Sequence, residues 1–373
     1  MDAKKKFFLF KQSDSFCAVP WNNIKILMDG SVGTCTYGKQ TLGSVTTTSI
    51  EEVLDNFKPI KQEIIEGKKP NHCTLCHQYS DENYGFLRTY YNNLFKATDV
   101  DYDNVDEFKL SGIDLHWSSL CNLKCITCWH GQSSSIAKEE GKPVWHTPNE
   151  SADKVIDYIV NHQFDLKEIY LSGGEPTMIH HNLRLLERLD KNINAEFRVN
   201  TNMMFDNDNK IVNELLKFKN VLFTISVDGL KDRFEYIRRG ANWNKFISNL
   251  ERLMPTHISW RVNSVLFVGT AGILIELQNF FRDTYSITDF SVNQEEMGHS
   301  NIKARNLPKK LKEQLIKDYD NYIITHNNQG GIKGNFTNCI SELKQEKTED
   351  YELFFENIDQ KYGSNWKEIF TEL

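Results

Sequence analysis

LHWSSLCNLKCITCWHG, residues 115–131, sets cysteines at 121, 125 and 128 behind an alternating run that reads as a β-strand. Thiolates are soft ligands suited to zinc and to iron–sulfur clusters. A structural zinc closes its tetrahedron with four side chains, so C-x3-C-x2-C is one ligand short. His130 would complete a Cys₃His zinc site, although a histidine two residues beyond Cys128 is cramped for a tetrahedron. A cuboidal iron–sulfur cluster on three cysteines keeps one iron open, as a catalytic metal requires. Spacing favours the open cluster and leaves the zinc reading standing.

From about residue 108 a strand-then-helix rhythm repeats. Strands are expected at 112–118, 168–172, 196–201, 221–227, 258–266 and 287–293, with helices at 131–140, 151–163, 180–191, 207–218, 231–254 and 271–282. Such alternation implies a parallel sheet with right-handed crossovers, and six units fall short of the eight that close a full barrel. The expected fold is α/β: a partial (β/α)6 TIM-like barrel over 101–302, a small α+β module over 1–100 and a helical C-terminal extension over 303–373. Strands covered on both faces are usually apolar throughout, yet these alternate. Asp114, His116 and Ser118 oppose Ile113, Leu115 and Trp117, and Tyr170 and Ser172 oppose Ile169 and Leu171. Arg198 and Asn200, then Thr224, Ser226 and Asp228, then Arg261 and Asn263, continue the pattern. The polar face is expected to line a wet, ligand-holding interior; the plainer alternative is that these residues bond to one another.

The N-terminal hundred residues differ. Ile24, Ile26 and Met28 alternate into an Asp29-Gly30 turn and read as a hairpin, and Thr48 or Ser49 opens a helix that Pro59 should break or kink. The 373-residue chain has 39% hydrophobic and 25% charged residues and a net charge of −7, which argues against nucleic-acid or anionic-membrane binding. The run FFLF near the start is too short for a signal-peptide core, and no apolar stretch approaches the roughly 20 residues of a membrane span. A cytoplasmic protein is expected, its eight cysteines reduced. Seven of those eight fall in the first 128 residues, a crowding that points to metal ligation.

A second motif, EIYLSGGEPTM at 168–178, ends the second strand of the repeat, with Gly173 and Gly174 able to admit a ligand close to the backbone. With CNLKCITCW and SGGEP both at strand C-termini, the chain resembles the radical SAM enzymes over about 108–295. The resemblance implies a 4Fe–4S cluster on Cys121, Cys125 and Cys128, its fourth iron chelated by S-adenosylmethionine (SAM). It also implies that Trp129 lies against the adenine and that Gly173, Gly174 and Glu175 meet the methionine amino group. Ser226 and Asp228, from ISVDG, and Asn200 are further cofactor contacts by the same likeness, with turn formation and capping as the plain alternative. Where the family often has Thr-Asn-Gly, this chain has Thr201-Asn202-Met203.

Cys17, Cys35, Cys73 and Cys76 make a closed set of four, which alone would suit zinc. Their pattern resembles the twitch auxiliary-cluster domain of radical SAM maturases, a shortened SPASM domain, with Glu82, Gly85 and Arg88 downstream. The likeness implies a second 4Fe–4S cluster as electron relay. In that family the module usually follows the barrel; here it precedes it. The combined resemblance implies reductive cleavage of SAM to a 5′-deoxyadenosyl radical that abstracts hydrogen from a peptide or protein, with a flavodoxin- or ferredoxin-type electron donor. A small-molecule substrate (sugar, nucleoside or amino-acid derivative) and a non-catalytic zinc or cluster scaffold are the alternatives. His116, Tyr170, Arg198, Arg261 and Asn263 are the candidate substrate contacts. Cys339, alone in NFTNCISEL, reads as a buried small hydrophobe, and Trp366 and Phe370 as anchors of a C-terminal segment that folds back.

Overall fold

The computed structural model describes residues 14–79, 86–96, 98–294, 299–326 and 331–373. Glu82 and Gly85 lie outside them. The chain divides into two compact units, one of residues up to Leu120 with Val144–Val199 and Asp208–Val221, the other of Cys121–Pro143, Asn200–Asn207 and Leu222–Leu373.

In the first unit β1 (Asn23–Ile26) and β2 (Ser31–Gly33) form the expected hairpin, and β3 (Gly43–Ser44) adds to β2. The turn needs Gly30, whose φ is +81° and whose missing Cβ makes room for Thr46. The hairpin then does something the sequence did not announce: β1 pairs in parallel with β4 (Gly112–Leu115), which pairs in parallel with β5 (Glu168–Leu171), and that with β6 (Glu196–Thr201). Register aligns Ile24, Ile113, Ile169 and Phe197 on one face, with Ile26, Leu115, Leu171 and Val199 one step on. All eight are buried. The opposite face carries Lys25, Asp114, Tyr170 and Arg198 side by side. The alternation read in the sequence is therefore a real division of faces, and it extends into the N-terminal module.

In the second unit β7 (Val221–Ser226), β8 (Ser259–Leu266) and β9 (Phe290–Gln294) run parallel. Ile225, Val262 and Phe290 align on the buried face, and Ser226, Asn263 and Ser291 on the other. Strands and helices alternate as expected of the α/β class. Two expected helices are divided. The one over 231–254 is Lys231–Ile237 followed by Trp243–Leu253, because Gly240 turns the chain at φ +90° and Asn242 caps the second piece by accepting from Lys245 N at 2.8 Å. The N-terminal one splits into Ile50–Asp55 and Lys58–Ile65, with Pro59 in the first turn of the second piece, where a proline lacks nothing the helix needs.

The C-terminal segment folds back within its unit. Trp366 and Phe370 are buried, both pack on Phe355, and Arg233 forks onto Glu372 with two contacts of 2.7 Å. Cys339 is buried, and burial pushes its thiol up. Among the described residues no helix is long and apolar enough to cross a membrane.

Ser49 caps its helix with a complete capping box, accepting from Glu52 N at 3.2 Å while its own N–H donates to Glu52 Oε2 at 3.1 Å. Ser49→Ala is expected to destabilise the protein by about 1 kcal/mol, measured as a lowered midpoint of denaturant unfolding at unchanged slope.

Candidate functional site

The Cys121–Cys128 loop is shaped by hydrogen bonds that do not involve its sulfurs. Three consecutive serines at the start of the helix Ser134–Glu139 hold it on one side. Ser133 Oγ donates to Leu123 O at 2.6 Å, and Ser134 and Ser135 hydroxyls donate to Cys121 O at 3.1 and 2.7 Å. On the other side Lys124 N donates to Arg239 O at 2.8 Å and Ile126 N to Ile237 O at 2.9 Å, setting Cys125 opposite Arg238. Asn202 Nδ2 donates to Asn122 Oδ1 at 2.8 Å and lies 4.0 Å from the Cys121 sulfur. Sequence reasoning missed the serines, Asn202 and Arg238; the run Ser133-Ser134-Ser135 was the one legible sign.

Burial pushes up the Cys125 thiol, which Arg238 partly offsets and Asp228 reinforces. Burial and Cys125 together push Cys128 up to about 12. His130 is paired through Nδ1 with Glu140 Oε2 at 2.9 Å. Trp129 keeps 42% of its surface exposed, and Gly131 gives its ring room, since a Cβ there would lie 2.5 Å from it. An exposed indole beside the third cysteine is free to stack on a flat ligand.

Asp228 is not free in the same way. It is fully buried, accepts from Val265 N at 2.8 Å and lies 2.7 Å from Arg238 Nη2. Ser226 and Asn200 sit at the ends of β7 and β6, half-buried. Met203, which stands where a glycine was expected, adopts φ +63°. Its turn is bound at Met203 N by Thr201 Oγ1 (3.1 Å), and Asn249 Nδ2 donates to the carbonyls of Met203 and Phe205 at 2.9 and 2.8 Å.

In the first unit Gly173 and Gly174 lie against residues 118–120, the segment that leads into Cys121. Gly174 N donates to Ser118 O at 2.9 Å and Glu175 N to Leu120 O at 2.7 Å. A Cβ on Gly174 would stand 2.3 Å from Leu120 O, and one on Gly173, at φ +113°, 2.7 Å from Ser118 O. Both glycines are thus demanded by chain meeting chain, a reason the sequence reading did not give. The Glu175 carboxylate is buried and accepts from Thr177 N and Oγ1 at 3.1 and 2.7 Å.

Cys17, Cys35, Cys73 and Cys76 gather in the same unit: burial first, then Cys73, Cys35 and Cys76 in turn, push the Cys17 thiol well up. Asn92 brackets Cys17, with Oδ1 accepting from Ala18 N at 2.8 Å and Nδ2 donating to Phe16 O at 3.1 Å. His72 Nε2 lies 3.0 Å from Thr34 Oγ1 and packs where Gly38 has no Cβ, tying the Cys35 turn to the Cys73 turn. Arg88 lowers the Cys73 thiol slightly against its burial. The four donors are all sulfur and all within electrostatic range of one another, a set that fits an iron–sulfur cluster.

The candidate substrate contacts fall into two groups. Arg198 is spent on Glu168 at 3.0 Å, over the rings of Tyr90 and Tyr170, and Arg261 on Asp289 at 2.8 Å. Asn263 Oδ1 accepts from Ser291 Oγ at 2.8 Å and from Asn293 Nδ2 at 3.0 Å. His116 Nε2 lies 3.2 Å from Asp114 Oδ1, edge-on to Tyr170, and Asp114 also accepts from Thr36 Oγ1 at 3.1 Å with Lys25 at 3.8 Å. Burial opposes the Asp114 charge, but His116 and Lys25 outweigh it and hold the carboxyl below its usual range.

Residues 116–270 match the Radical SAM superfamily and residues 17–78 an iron–sulfur cluster-binding domain, SPASM. No curated protein matches the chain. Among solved structures, native anSMEcpe with bound AdoMet is 21% identical with a TM-score of 0.42, covering 56% of this chain and 60% of its own. Streptococcus suis SuiB bound to its precursor peptide SuiA is 17% identical with a TM-score of 0.43, covering 69% of this chain and 60% of its own. The chain thus spans about three fifths of the length of the structures it matches, and likenesses this distant say nothing about its substrate.

Met203→Gly sets two effects against each other. Relief of the left-handed backbone is worth about 1–2 kcal/mol, while loss of a fully buried methionine side chain costs about 2–5 kcal/mol. The lost burial outweighs the relieved backbone, so net destabilisation of about 1–3 kcal/mol is expected in equilibrium unfolding. A more stable variant would show that the side chain contributes little to the core.

Proposed function

The chain belongs to the radical SAM superfamily and carries an iron–sulfur cluster-binding domain of SPASM type, and from that premise we propose that it is an enzyme that cleaves S-adenosylmethionine reductively and takes a hydrogen atom from a peptide or protein substrate. The observation that carries the reading is the three-cysteine loop. Its backbone is fixed by serines and by the segment Ile237–Arg239, and His130, the side chain that would have closed a zinc site, is paired with Glu140. Cys121, Cys125 and Cys128 would hold the first cluster, and Cys17, Cys35, Cys73 and Cys76 the second. When bound, the first supplies a low-potential electron to the sulfonium, which parts into methionine and the 5′-deoxyadenosyl radical.

The chain's own residues position and shield. Trp129 offers an exposed ring for the adenine, and Gly173, Gly174 and Glu175 bring a turn flush with the segment before Cys121. Ser226 and Asn200 stand at strand ends as polar contacts for the remainder of the cosubstrate. Hydrogen transfer demands reacting atoms within about 3–3.5 Å, so side chains that hold the substrate choose the C–H bond. His116 and Tyr170, on the polar strand face, are proposed for that task. Arg198, Arg261 and Asn263, already paired, are proposed to stiffen the face. Pairing of a SPASM domain with the radical SAM domain supports a peptide or protein substrate. A flavodoxin- or ferredoxin-type donor and a cytoplasmic setting, where the thiols stay reduced, complete the reading. A small-molecule substrate is the second reading.

Anaerobic protein should bind iron and sulfide for two clusters, about eight irons per chain; zinc with little iron would refute the assignment. With reductant and S-adenosylmethionine, wild type should form 5′-deoxyadenosine, and Cys125→Ala should lose that activity altogether. Cys73→Ala should keep cleavage but yield no mass change in candidate peptides that wild type modifies. Full modification by that variant would remove the second cluster from the chemistry.

A further inference from the structure

Beyond the cysteines, the three-cysteine loop has an ionic neighbour. Arg238 follows the helix Lys231–Ile237, and the backbone bonds from Lys124 to Arg239 and from Ile126 to Ile237 fix it opposite Cys125. The residue is only 8% exposed. Its Nη2 is 2.7 Å from Asp228 Oδ2, while its Nε has no hydrogen-bond partner. A guanidinium presents five donors, and a buried one with a donor left over normally has an anion to serve. The sulfur of Cys125 is within its electrostatic and hydrogen-bonding reach, and Cys121 also feels its charge. Arg239, one residue on, is stacked instead on the Tyr362 ring at 3.8 Å, and Lys124 pairs with Glu139 at 3.3 Å.

We propose that Arg238 is the built-in positive charge that tunes the cluster on Cys121, Cys125 and Cys128 for electron uptake, with Asp228 as its counterweight. The inference rests on the cluster assignment proposed above. Taking up one electron makes a thiolate-bound cluster more negative by one charge. A buried cation beside a ligating sulfur favours that reduced form and raises the reduction potential. Asp228 pulls the other way, but Arg238 acts on Cys125 more strongly than Asp228 does, so the pair as a whole favours reduction. Asp228 also fixes where the guanidinium stands, because its second oxygen is anchored by Val265 N at 2.8 Å. Arg238 is a positioning residue that acts through Cys125.

The test is redox titration of the full chain, without S-adenosylmethionine, followed by electron paramagnetic resonance. The signal absent from Cys125→Ala marks the relevant cluster. Asp228→Asn leaves the cation uncompensated and should move the midpoint upward. The double variant Arg238→Gln/Asp228→Asn strands no buried charge and should move it downward from wild type. Arg238→Lys should stay near wild type, and Arg239→Gln, with the same change of net charge as Arg238→Gln, should shift it far less than the double variant. Iron content at the wild-type level in each variant excludes simple loss of the site. Unchanged midpoints, or shifts of one sign in both Asp228→Asn and the double variant at full iron content, would overturn the role of Arg238 and leave the cluster assignment intact. Wild-type protein that binds no cluster on these cysteines would overturn both.

Discussion

Holding sulfur anions together in a half-buried place is the constraint on which this molecule is built. Each thiol resists ionisation through burial, and Cys17 and Cys128 resist it further because other cysteines stand close. Iron relieves that repulsion once bound, but the chain must gather the sulfurs. It does so through the backbone: Asn92 grips both sides of Cys17, and Ser133, Ser134 and Ser135 grip Leu123 and Cys121. Neutral amides and hydroxyls suit this work because they bind the peptide without adding charge near the sulfurs. Arg238 is the exception, and its charge is balanced by a buried carboxylate.

The second organising fact is strand register. Parallel pairing of β1 with β4 lays Lys25 next to Asp114, and further pairing adds Tyr170 and Arg198. The N-terminal module is therefore not an appendage joined by a linker: its hairpin extends the strands of the radical SAM domain in the first unit, apolar row against apolar row. Its Lys25 reaches the carboxylate on which His116 rests. A charge near Cys35 and a charge at His116 are separated by little more than this short polar chain, since Lys25 acts on both Cys35 and Asp114.

Much of this was legible in the chain itself. Strand positions came from period-two alternation, and the observed strands Glu196–Thr201, Val221–Ser226 and Ser259–Leu266 fall where that pattern placed them. Both cysteine sets and the Gly-Gly-Glu-Pro turn are local in sequence, so spacing alone revealed them. Helix ends were less legible. Gly240 broke what hydrophobic periodicity showed as one helix, and Pro59 began a helix where it was expected to disturb one, because a breaker's effect depends on which turn it occupies.

What the sequence determined is the identity of the ligands, because a thiol's chemistry and its spacing along the chain are properties of the residues themselves. What only the tertiary structure decided is everything those ligands lean on. Asn92 is 75 residues from Cys17 and Arg238 is 113 from Cys125, and no periodicity records a contact across such a distance. The same holds for Gly174, whose missing side chain reads as freedom for a ligand until Leu120 O is found where its Cβ would stand. Local chemistry is written in order along the chain; the electrostatic and steric surroundings of that chemistry exist only once distant segments have met.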